Sequence, residues 1–377
     1  MQKNILGFIV LAFMSISLFV ACGSGEVEEP EMPGGTEEPP APVDRVAMLT
    51  NIYDNAAIPA HDAFLAEATK LLETATAFRD NANAANLETV QMQWQSTKLA
   101  WELVEVYDID PIDDQFLHNK IDKYPLNQNF VESSLDSDPG SIDETLVENS
   151  GSTTKGLPVI EYLLFRAEDG NEVLTQFTTG PRAPQYLNYL LALSQNLLTQ
   201  AGVLKSEFSS IRADFINNTV DGSNGSLNNL ANAQVGLIEE ILGDKINRPL
   251  GGDSNGIPVP EKVETPFAQI SLPAIRQNLV SLRESFVGDE SQVNLYALFD
   301  EVHMGDGDKL SATIATAFEN CLNEVDQLND SVAALVTNNP DALDPLVEAI
   351  TRLGIAIKVD MANQLGLTIV FNDTDGD

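Results

Sequence analysis

The strongest constraint on the fold is a seam of apolar residues with helical spacing near the C-terminal end. Ile314, Phe318, Cys321, Val325, Leu328, Val332 and Leu335 alternate steps of four and three between Ser311 and Leu335, the stripe by which a helix packs into a bundle. Leu346, Ile350, Leu353, Ile357 and Met361 form a second seam. Leu227, Leu230, Gln234, Leu237 and Ile241 form a third, with one polar break. Upstream, Val46, Leu49, Ile52 and Tyr53 begin a helix expected to bend at Pro59, where the ring removes a backbone donor, and to resume through Phe64, Ala68, Leu71 and Leu72. Further helices are expected over roughly Leu87 to Tyr107 and Tyr186 to Ile216. No comparable run alternates as a strand does between hairpin turns, so the expected class is all-α.

Punctuation divides this body. Asn217 to Gly225 is rich in Asn, Gly and Ser and ends a long helix, which places a boundary between two expected helical bundles, 44–220 and 221–377. The start of the chain reads differently. Lys3 precedes an apolar run from Ile5 to Val20 that closes on Ala21-Cys22, shorter than the roughly 20 residues that span a bilayer. Residues 1–21 are therefore expected to be a signal peptide. Leu18 to Gly23 resembles the lipobox of bacterial lipoproteins, which implies lipidation of Cys22 and attachment to a membrane through acyl chains. Residues 22–43, with six Glu and five Pro, form an acidic tether with too little apolar surface to fold. Its early acidic residues resemble the export signal of Bacteroidota surface lipoproteins. The expected location is the outer membrane, facing the periplasm or the cell surface. With Cys22 acylated, Cys321 has no partner for an internal disulfide.

A formal net charge of −37 excludes nucleic acid as the main partner and favours cations. His61, His118 and His303 belong to no HExxH pair, and no phosphate loop or nucleophile elbow is present. Asp306-Gly307-Asp308 and Asp373 to Asp377 lack the remaining ligands of calcium loops. More informative is Lys155-Gly156-Leu157-Pro158-Val159-Ile160-Glu161-Tyr162-Leu163-Leu164-Phe165. Gly156 permits a tight entry and Pro158 suits a first helical turn. Glu161 then lies among apolar neighbours, where a carboxylate must be paired, hydrogen-bonded or ligating; a carboxylate capping a helix N-terminus is the structural alternative.

This segment resembles the GxHxxE motif of imelysin-like proteins, with Gly156 and Glu161 matching and Pro158 in place of histidine. Trp94, Trp101 and Glu102, then Ile121-Asp122 with Pro125, then Asn247 to Gly251 and Glu264 to Phe267 resemble family segments in the same order. So do Leu365-Gly366-Leu367 and the acidic close at Asp373 to Asp377. The resemblance implies an all-α fold of two bundle-like domains with the motif near a groove between them. It also implies an envelope protein linked to iron regulation and uptake, in a family catalogued among metallopeptidases. Pro158 has no side-chain ligand, and Glu161 alone cannot hold a catalytic zinc. The expected function is therefore a non-catalytic binding lipoprotein in iron acquisition. Its expected site comprises Gly156, Pro158, Glu161, Asp122, Glu102 and Trp101, with Glu161 as metal ligand. The ligand would be iron or another hard cation, an iron-bearing molecule or an envelope protein. A metallopeptidase would need replacement ligands such as His61 or His118. A scaffolding lipoprotein would use Pro158 and Glu161 for the fold alone.

Overall fold

In the computed structural model, residues 42–369 are described, apart from 168–169 and 305–306 and the side chain of Asp114. The signal segment, Cys22, the tether before Pro42, Asp306 and the acidic close from residue 370 lie outside them. Helix α1, Arg45–Ile52, starts at Asp44, whose side chain accepts the N–H of Ala47. A π-helical turn, Tyr53–Ala57, leads into α2, Ile58–Asp80. The bend expected at Pro59 is absorbed there, because the N–H of Ile58 reaches back five residues to Tyr53 and Pro59 falls in a first turn that needs no donor.

Helix α3, Ala84–Glu102, is followed by a 3-10 turn at Glu105–Tyr107. Short turns then lead to α4, Leu157–Phe165, and to the long α5, Ala183–Ser210, which breaks at Ile211 before a short continuation at Arg212–Asn217. Helix α6, Ser226–Glu240, runs into a second π-helical turn, Ile241–Asn247. Helices α7, Ser271–Val287, α8, Leu310–Gln327, and α9, Asp344–Ile355, complete the main set.

The seams are buried as their spacing requires. Ile314, Phe318, Cys321 and Val325 face the core from α8. The seam expected to continue to Leu335 is interrupted at Leu328–Ser331, where Ser331 caps a new helix, Val332–Asn338, and Val332 and Leu335 are buried from that one. Leu346, Ile350, Leu353, Ile357 and Met361 are all buried, the last two from a third π-helical turn at Ala356–Met361. The polar break at Gln234 is buried and donates to Ser285 Oγ at 2.8 Å. Among the described residues the only bridge of strand type is the isolated pair His303–Lys309, and the fold is all-α. No helix among them is long and apolar enough to cross a membrane. From Val43 to Ile369 the described chain packs as one compact unit, in which α3 lies against both α2 and α7.

Candidate functional site

The entry to α4 fixes the geometry. Gly156 has φ 76°, and a Cβ on it would stand 2.1 Å from the carbonyl oxygen of Ile121. Only glycine lets the two backbones approach so closely. Trp94 Nε1 donates to the carbonyl of Leu157 at 3.0 Å and anchors the same turn. Pro158 follows in the first turn of a helix whose residues from Leu157 to Leu164 are all buried.

Glu161 is thereby carried into the interior, 1 % exposed. Its Oε1 accepts the backbone N–H groups of Phe267 at 2.9 Å and Ala268 at 2.8 Å. Those amides belong to a loop held by Thr265, whose Oγ1 accepts the N–H of Ile270 and lies 3.0 Å from Ser271 Oγ. Burial pushes Glu161 up to about 8 against the opposing pull of the two amides. At neutral pH it is largely a protonated acid whose carbonyl oxygen holds the loop.

Beside this clamp lies a buried network of charges. Lys98 and Glu102 sit one turn apart on α3, with Lys98 Nζ 2.5 Å from Glu102 Oε1. The same ammonium pairs with Asp122 and with Glu264 Oε1, the latter at 2.8 Å. Lys245, from the π-helical turn after α6, places Nζ 2.9 Å from Glu102 Oε2, 3.0 Å from Glu105 Oε2, 3.0 Å from Glu264 Oε1 and 2.8 Å from Asn278 Oδ1. Trp101 Nε1 donates to Glu105 Oε1 at 2.9 Å, and Asn278 Nδ2 to Glu105 Oε2 at 2.7 Å. Burial would lower both lysines, but the surrounding carboxylates outweigh it and hold each well above the ordinary value. Burial raises Glu102 and pushes Asp122 up to about 6. Two ammonium groups face four carboxylates, so negative charge is in excess.

A groove of about 830 Å³ opens above this network. Trp101, Glu105, Asp122, Lys245 and Glu264 line it, while Lys98, Glu102 and Glu161 are not part of its lining. His118 also lines it, with Nδ1 3.5 Å from Asp108 Oδ2 and no partner at its buried Nε2. Burial draws His118 down to about 3, so the ring is neutral, and burial pushes Asp108 up to about 7. His61 is elsewhere, stacked on Phe208 with Nδ1 2.8 Å from the carbonyl of Ala57, and His303 lies in its isolated bridge.

The structure therefore brings Asp122, Glu102 and Trp101 together, with Gly156 and Pro158 setting the turn nearby. Glu161, the expected metal ligand, commits Oε1 to two backbone amides. The carboxylates that converge are instead Glu102, Glu105 and Glu264, with ligand atoms within 4.8 Å of one another. The Lys245 ammonium already sits among those three, and Pro158 offers no ligand beside Glu161. The residues present do not fit a catalytic metal at the motif. Lys98, Lys245, Glu105 and Asn278 escaped the sequence reading. The four-residue spacing of Lys98 and Glu102 was the one local signal that could have exposed part of the network.

Fold and site together define a helical protein built around a buried carboxylate–ammonium network beneath an acidic groove. The imelysin family model, peptidase family M75, matches residues 57–357, and the chain belongs to that family. Two solved structures share the fold. One is an imelysin-like protein from Psychrobacter arcticum 273-4, with TM-score 0.71 and 19 % identity, covering 88 % of this chain and 100 % of that one. The other is assigned as an iron-regulated protein A precursor from Parabacteroides distasonis ATCC 8503, with TM-score 0.70 and 17 % identity, covering 85 % of this chain and 95 % of that one. A comparison with curated proteins found no match.

Proposed function

We propose that this protein is a non-catalytic binding component of the cell envelope linked to iron acquisition, tethered through a lipid on Cys22, with the acidic groove as its binding site. The observation that carries the reading is the groove itself, walled by nine acidic side chains and floored by carboxylates already fixed in place by buried ion pairs. A pre-organised, concave, polar site suits binding, and the Lys245 ammonium already sits where Glu102, Glu105 and Glu264 converge. The iron link draws on family membership and on the fold shared with the iron-regulated precursor from Parabacteroides distasonis. Calorimetric titration of the purified protein with ferric citrate, haem and a ferric trihydroxamate tests it. Binding of at least one is expected, and heats indistinguishable from dilution for all three would sink the reading. The lipid is checked separately by palmitate labelling, expected to disappear in Cys22→Ala.

A scaffolding role is the second reading, favoured by Glu161 acting on backbone amides rather than facing the groove. It predicts that Glu161→Ala lowers the melting temperature while every ligand affinity stays unchanged.

A further inference from the structure

The atoms left over at the groove indicate what it takes. Glu264 is 6 % exposed; its Oε1 lies between both lysines, while its Oε2 is buried without a partner. His118 Nε2 and the Tyr124 hydroxyl, in the same lining, are also buried without partners. A carboxylate oxygen is an acceptor only, and so is Nε2 of a neutral imidazole whose Nδ1–H faces Asp108. Buried acceptors without donors are costly, a cost removed by any ligand that brings N–H groups. The walls say what charge those groups carry. Nine acidic side chains and two lysines line the groove, and Lys245 is already enclosed by carboxylates. One-signed walls in a cleft concentrate the field and draw in the opposite charge. The volume of about 830 Å³ suits a molecule of many atoms rather than a single ion. A bare metal ion is also excluded from the converging carboxylates by the Lys245 ammonium between them.

We propose that the groove selects small organic cations bearing protonated amines, which donate to Glu264 Oε2 and His118 Nε2 while the acidic walls balance their charge. This rests on the binding reading given above and narrows it. Iron carried here enters on a positively charged, amine-bearing chelate, and anionic chelates are repelled by the same walls.

Calorimetric titration of the purified protein tests this with four probes: spermidine, the ferric complex of desferrioxamine B with its free protonated amine, ferric citrate and haem. Spermidine and the amine-bearing chelate are expected to bind, with affinities that weaken as salt is raised. Glu264→Gln should weaken both by about tenfold. Asp110→Asn, at an exposed position of the lining, should weaken both by about threefold at unchanged melting temperature, and it keeps the test decisive if Glu264→Gln fails to fold. Binding of spermidine without the ferric chelate leaves the cation class standing and removes the iron reading. Ferric citrate or haem binding as tightly as the cations, or indifference to Asp110→Asn, overturns the cation class and leaves iron in place. No binding of any probe overturns both.

Discussion

At the scale of single residues, Lys245 and Glu161 show how a buried charge can be made tolerable in two ways. Lys245 is surrounded by four oxygen atoms at 2.8 to 3.0 Å, a shell resembling that of a hard cation. Removing the ammonium leaves like charges facing one another, so Lys245→Met should cost about 3–5 kcal/mol in chemical denaturation. Calcium or manganese should then raise the melting temperature of the variant and not of the parent, because only the variant has room for an ion among those oxygens. Glu161 avoids the problem by staying protonated. Its folded value of about 8 lies above the ordinary 4.5, so its contribution is fully present below about 4.5 and is lost as pH rises through 8. Glu161→Gln keeps a carbonyl oxygen for the two amides and removes the titration. Relative to that variant, the parent should lose stability on the order of a few kcal/mol between pH 5 and 8, read from urea unfolding. His61 and His118 work in the opposite direction. Both are held below the ordinary histidine value by burial, so they withdraw stability as pH falls from 6.5 towards 4 and 3. Since Gln matches the parent at both histidines, comparing the two proteins isolates Glu161.

At the scale of elements, the turn into α4 is the piece that local sequence described best. Gly156, Pro158 and Glu161 were legible because each answers a local demand: a backbone approach, a donor-free first turn, and a carboxyl that must find partners. Gly156 combines φ 76° with ψ −163°, a region nearly closed to other residues. Gly156→Ala should cost at least about 2 kcal/mol from strain and overlap with Ile121 together, measured by thermal unfolding. Helix ends were less legible. The seam from Ile314 to Leu335 keeps its spacing across a break at Leu328–Ser331, because two successive helices present apolar residues to the same core. Spacing reports which side is buried and says nothing about whether the backbone continues. The partners of Lys98 and Lys245 were not legible at all. Glu264 lies 166 residues beyond Lys98, and ion pairing between distant elements leaves no periodic trace.

At the scale of the whole molecule, the network ties the two sequence halves together. Lys98, Glu102, Glu105 and Asp122 precede residue 220, whereas Lys245, Glu264 and Asn278 follow it. The division into 44–220 and 221–377 is retained as a proposal about two parts of one folding unit. A fragment ending at residue 220 would leave Glu102 and Glu105 buried without Lys245, and it should show no cooperative thermal transition. A sharp transition in the isolated fragment would make the halves independent. Lys245 has one more consequence. A centre held together by its own ammonium group needs no cofactor to be loaded, competes with no neighbour for one, and cannot be emptied by scarcity. EDTA should therefore leave the melting temperature of the parent protein unmoved. That independence means that the groove keeps its shape whatever the supply of metal around it.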